Sequence, residues 1–80
     1  MIPERDMLSR LTSIFQDVLN PAVVVTENLD ASQVPEWDSL SHISLIVAIE
    51  AEFEVEFTTD ELVQMTTVGD LMRTLRAKGV

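Results

Sequence analysis

The sequence predicts an all-α fold: a small four-helix bundle of three main helices and one short one, with a long loop between helices one and two. Three observations carry that prediction. Apolar residues recur at helical spacing in residues 3–19, 38–53 and 68–75. Helix starts are marked by Asp38, by Thr58 with Glu61, and by Thr67 with Asp70. No two alternating segments are suited to pair as strands. Val23-Val24-Val25 and Glu52 to Phe57 are strand-like, but neither has an evident partner.

The first helix spans residues 3 to 19, with Met7, Leu11, Ile14 and Val18 on one stripe and Leu8, Phe15 and Leu19 widening it. Pro3 suits its start, Glu4 and Asp6 complement the positive end of its dipole, and Asn20-Pro21 stops it. About 18 residues without helical period follow, Asn20 to Trp37, in which Val23, Val24, Val25, Leu29 and Val34 supply anchors to a core. The second helix runs from Asp38, its cap, to about Phe53. Leu45, Ile46, Ile49 and Phe53 form its core face, while Leu40, Ile43 and Val47 fall on an adjacent one. Those three are surplus to a single core, and either widen it or remain outside as a docking strip. The short third helix passes through Leu62, Val63 and Met65. The fourth turns Val68, Leu71, Met72 and Leu75 inward and ends among Arg73, Arg76, Lys78 and Gly79.

Eighty residues suffice for one domain, residues 1–80. Fourteen acids oppose five bases, for a formal net charge of −9, and twelve of the acids lie between Arg10 and Arg73 with no base among them. This excludes a phosphate-neutralising nucleic-acid binder. The run is a solvated face or a handle for basic partners. An apolar share of 46% is too high for an acidic disordered tail. With no cysteine there is no disulfide and no thiolate site. No run approaches a membrane span and the N-terminus does not read as a signal peptide, so a cytoplasmic monomer is the expectation.

Constellations for independent catalysis are absent. His42 is the single histidine, no calcium loop or glycine-rich phosphate loop occurs, and no metal site is expected. So small a core also leaves little room to enclose a substrate. What stands out is Asp38-Ser39-Leu40, where the loop meets the second helix. Ser39 sits at a helix N-terminus, where unsatisfied N–H groups and the dipole favour an attached phosphate. Read plainly, Asp38 caps the helix and Leu40 begins a stripe.

Asp38-Ser39-Leu40 is followed by an apolar helix, then Ile49-Glu50-Ala51-Glu52-Phe53, Thr58-Thr59-Asp60-Glu61-Leu62 and Thr66-Thr67-Val68-Gly69-Asp70-Leu71. That series resembles the acyl carrier protein family over about residues 36 to 77, and the helix and loop before it agree in length and order. The resemblance implies a non-catalytic carrier whose Ser39 receives 4′-phosphopantetheine from coenzyme A. A separate Mg²⁺-dependent phosphopantetheinyl transferase would perform the transfer. Asp38, matching the family's aspartate, would help hold that enzyme's metal. Acyl or aminoacyl groups would then travel as thioesters on the arm. Leu40, Ile43 and Val47 match the partner-facing positions, with Glu50, Glu52, Glu54 and Glu56 beside them to steer basic surfaces. The implied partners are acyltransferases, synthases or adenylating enzymes. Ile46, Ile49, Phe53 and the inward residues of helices one and four could line a cleft for an acyl chain, though ordinary core packing is the stronger reading of each taken singly.

The chain departs from fatty-acid-synthesis members at Ser41, Ser44 and Ala51, where acids are usual, and at Pro35-Glu36-Trp37 before the motif. These departures look more like a specialised free-standing carrier for secondary-metabolite, modified-lipid or aminoacyl pathways. Trp37 reads as an anchor for the loop; His42, one turn from Ser39, could touch the phosphate but reads rather as exposed and idle. A second functional reading, from a different class, is an unmodified acidic helical adaptor for a basic partner.

Overall fold

The computed structural model describes residues 2–80. Pro3, with φ −61°, leads into α1 (Glu4–Val18), which buries Met7, Leu11, Ile14 and Phe15 as its spacing dictates. Asn20 then turns the chain: its side-chain oxygen accepts from the Ala22 N–H at 2.8 Å, while its amide donates to Glu36 at 2.8 Å. One residue thus ties together the two ends of the long loop.

The loop is built rather than slack. Val23 and Val34 are buried, whereas Val24 is exposed, so the valine run anchors through alternate members and forms no strand. A 3₁₀ turn, Ala31–Gln33, interrupts it, capped reciprocally by Asp30 and Gln33. Before that turn the loop lies across the start of α4 (Val68–Ala77). The Val68 N–H donates to the Leu29 carbonyl at 3.0 Å and the Gly69 N–H to the Glu27 carbonyl at 2.9 Å. With the Asp70 N–H bonded to the Thr67 hydroxyl at 3.1 Å, the helix's first three donors are satisfied. An isolated bridge between Asp30 and Thr67 marks the same junction, and there is no named strand among the described residues.

Asp38 caps α2 (Ser39–Phe53), as its position predicts. That helix ends on Glu54, the one non-glycine residue with positive φ (56°) among the described residues. An extended link follows, held where the Phe57 N–H donates to the Glu50 carboxylate at 2.9 Å. Thr58 and Glu61 form the expected capping box on α3 (Thr59–Gln64), whose C-cap is Met65. The third helix is therefore one residue shorter than its apolar pattern suggests, and Val63 within it faces solvent. α4 closes with the Val80 N–H bonded to the Leu75 carbonyl and the Gly79 N–H to the Arg76 carbonyl, Gly79 taking φ 90°. α1, α2, α4 and the loop contribute to one buried cluster centred on Phe15, Leu11, Leu45, Ile49, Val68 and Leu75, and the half-buried Leu62 of α3 packs against it.

Candidate functional site

Ser39 is the first residue of α2 and is exposed, as is Asp38 before it. The Asp38 carboxylate accepts from the Ser41 N–H at 2.9 Å. That bond, above all, holds its carboxyl below the usual aspartate range. The first turn of α2 carries no acid. A hydroxyl at this end of a helix therefore meets one capping carboxylate and a favourable dipole for phosphate.

Two anchors hold the turn in place. Trp37 is buried and meets Phe15 of α1 edge to face, ring centres 5.2 Å apart. Its indole N–H donates to Nδ1 of His42 at 3.1 Å, with the two rings stacked at 6.2 Å. Because indole nitrogen only donates, the imidazole accepts at Nδ1 and carries its proton at Nε2. Nε2 lies 3.4 Å from the Leu62 carbonyl, so the ring links the loop, α2 and α3. Trp37 is the anchor its sequence position suggests. His42 is neither exposed nor idle: a buried indole N–H requires an acceptor, and the imidazole one turn into α2 supplies it.

Beside Ser39 runs a groove lined by Trp37, His42, Ile43, Leu62, Val63 and Thr66, among others. No local signal places Leu62 and Val63 there, since α3 meets the start of α2 through tertiary packing. Leu40, Ile43 and Val47 are 78, 58 and 59% exposed, so these surplus apolar residues of α2 do not widen the core. With Val63, at 75%, they leave large apolar side chains in solvent on two neighbouring helices. The acids assigned to the same region are partly engaged. Glu50 is half-buried with one carboxylate oxygen on the Phe57 N–H, and Glu52 lies 3.5 Å from Arg10. Glu54 and Glu56 are exposed on the link that follows.

Behind the site lies a cavity of about 10 Å³, lined by Phe15, Trp37, His42, Leu45, Ile46, Ile49, Met65, Thr67 and Leu71. Ile46 and Ile49 line it and Phe53 does not, and its volume is too small for the acyl-chain cleft that the sequence suggests for these residues. No group of three or more metal-ligating side chains occurs among the described residues.

A protein-family profile described as a phosphopantetheine attachment site matches residues 9–75. The fold matches the solution NMR structure of a holo acyl carrier protein from Geobacter metallireducens with a TM-score of 0.82. The two are 38% identical, and the match covers 89% of this chain and 83% of that one. The chain belongs to the phosphopantetheine-bearing acyl carrier family. It is thus a non-catalytic carrier, and its prosthetic group is covalent 4′-phosphopantetheine. The donor set fits such a group: an exposed hydroxyl, a helix N-terminus free of acids in its first turn, and an adjacent groove with apolar walls. No helix among the described residues is long and apolar enough to cross a membrane.

Proposed function

We propose that the chain acts as one domain that carries acyl groups on a phosphopantetheine arm attached to Ser39, and that it serves a specialised pathway. The observation that carries this reading is the position of Ser39: it is exposed, first in α2, and opens onto a groove in which the motif, α2 and α3 meet. When attached, the group supplies a thiol, which this cysteine-free chain lacks. Asp38 has a double part. One oxygen holds the turn through the Ser41 N–H, and the carboxylate, kept ionised, offers a ligand to the Mg²⁺ of the phosphopantetheinyl transferase.

Leu40, Ile43 and Val47 form the apolar strip on which partner enzymes dock, with Val63 extending it across the groove. Glu50 and Glu52 stand at its far end and contribute negative potential, which speeds encounter with basic acyltransferases, synthases or adenylating enzymes more than it tightens binding. Fast release suits a shuttle. The acid-free start of α2, with Ser41 in its first turn and Ser44 in its second, favours partners whose basic patch reaches toward the far end of the helix rather than the serine. A cytoplasmic monomer is consistent with this role.

Loading tests the reading. Incubated with acyl-coenzyme A and a broad-specificity transferase, the protein is expected to gain one acyl-phosphopantetheine. Neutral hydroxylamine should then release the acyl group alone, leaving the arm. A chain that gains nothing yet binds a basic partner would be the unmodified adaptor instead.

A further inference from the structure

The groove beside Ser39 and the small cavity in the core share a wall. Trp37, His42 and Met65 line both. On the outer side the wall faces Ser39, Ile43 and Val63; on the inner side it faces Phe15, Ile49 and Leu71. Trp37 and His42 are latched by the indole-to-imidazole hydrogen bond at 3.1 Å, and the imidazole is also set against the Leu62 carbonyl at 3.4 Å. The wall is therefore not loose packing: its polar atoms have partners, and none of the buried side-chain polar atoms described lacks one. Displacing the pair would strand an indole N–H against apolar neighbours.

The cavity behind, about 10 Å³, holds no more than about one water. A chain of several methylenes finds no volume there unless the wall moves. The outer groove, by contrast, has polar and apolar lining and opens to solvent around Ser39.

We propose that the Trp37–His42 pair is a gate that selects cargo: closed, it keeps the acyl group in the outer groove and denies the core to a long apolar chain, so the carrier is tuned to short or polar acyl groups. The proposal rests on attachment at Ser39. It makes Trp37 and His42 specificity-determining residues, with no part in any bond made or broken.

The chain has one tryptophan and one histidine, so the indole N–H and the imidazole resonances report on the gate without ambiguity. The wild type, Trp37→Phe and His42→Ala would each be loaded by a transferase from acetyl- and from decanoyl-coenzyme A. Intact mass confirms loading first. Failure to load, or loading of Ser39→Ala, would count against the attachment site and not against the gate. In the wild type, the acetyl and decanoyl forms are expected to share one melting temperature and one indole N–H position. In either variant, the decanoyl form should melt about 4–8 °C above its own acetyl form, with shifted Ile49 and Leu71 methyl signals, because the freed passage lets methylenes be buried. Trp37→Phe keeps a ring against Phe15, so it decides the matter where His42→Ala does not fold. Two results would overturn the gate: the same rise with a displaced indole signal in the wild type, or no rise in the folded variants.

Discussion

The Gly69 N–H donates to the Glu27 carbonyl at 2.9 Å, and a Cβ on Gly69 would stand 3.1 Å from that same oxygen. The loop that carries the chain to Ser39 is thus seated on the first turn of α4 through a backbone approach that only glycine leaves unstrained. In an open helix, Gly→Ala gains up to about 1 kcal/mol. Here the carbonyl would have to withdraw from a bond to the substituted residue itself. Gly69→Ala is therefore expected to lose about 1 kcal/mol in urea unfolding, and a gain would mean that the loop yields freely.

Acid affects the fold in two opposed ways. Asp70 is held down to about 2, chiefly by the Thr66 hydroxyl and N–H, and Glu61 is lowered by Lys78. The stability these groups add is present above the ordinary carboxylate range and drains away as pH falls toward 2. Glu27 runs the other way: the facing Glu4 carboxyl raises it, so its ionisation opposes folding at neutral pH and protonation relieves it. Glu27→Gln should raise the melting temperature at pH 7 and make little difference below about pH 4. Thermal melts across that range check both signs. An equal effect at both pH values would contradict the pairing.

Exposure separates the proposed docking strip from the core. Leu40→Ala and Val47→Ala remove side chains that are already in solvent, so each should change stability by no more than about 0.5 kcal/mol. Leu45→Ala, on the buried face of the same helix, should cost about 2–5 kcal/mol. If the strip docks partners, the first two variants should slow acyl transfer from a partner enzyme several-fold while melting like the wild type.

The two parts assigned to Asp38 can be divided by one substitution. Asn caps a helix about as well as Asp, so Asp38→Asn should melt within a few degrees of the wild type. It removes the charge offered to Mg²⁺, so its rate of phosphopantetheine loading should fall at least about tenfold. Unchanged loading would leave Asp38 a cap and nothing more.

The parts of this fold that read directly from the sequence are those governed by neighbours a few residues apart. Asp38, Thr58 with Glu61 and Thr67 with Asp70 mark helix starts because a cap closes within one turn. The carrier motif is legible for the same reason. The cap Asp30-Ala31-Ser32-Gln33 carries an equally local signal, and its lack of a following apolar run hides the 3₁₀ turn it opens. Other features depend on contacts far apart in sequence. The seating of Glu27 and Leu29 on α4 joins backbone atoms, and backbone atoms leave no mark on residue choice except at Gly69. The bond from Phe57 to Glu50 explains why one acid of the expected steering set is half-buried. Exposure of Leu40, Ile43 and Val47 was open on periodicity alone, because a stripe adjacent to the core face fits a wider core equally well. Tertiary packing leaves them outside.

Attachment at Ser39 is the central claim, and intact-mass spectrometry reaches it most directly. The wild type and Ser39→Ala would be incubated with coenzyme A, Mg²⁺ and a broad-specificity phosphopantetheinyl transferase. The account predicts a gain of one phosphopantetheine by the wild type and none by Ser39→Ala, with both proteins folded by circular dichroism. An equal gain in the folded Ser39→Ala variant, or no gain in the wild type, would contradict it.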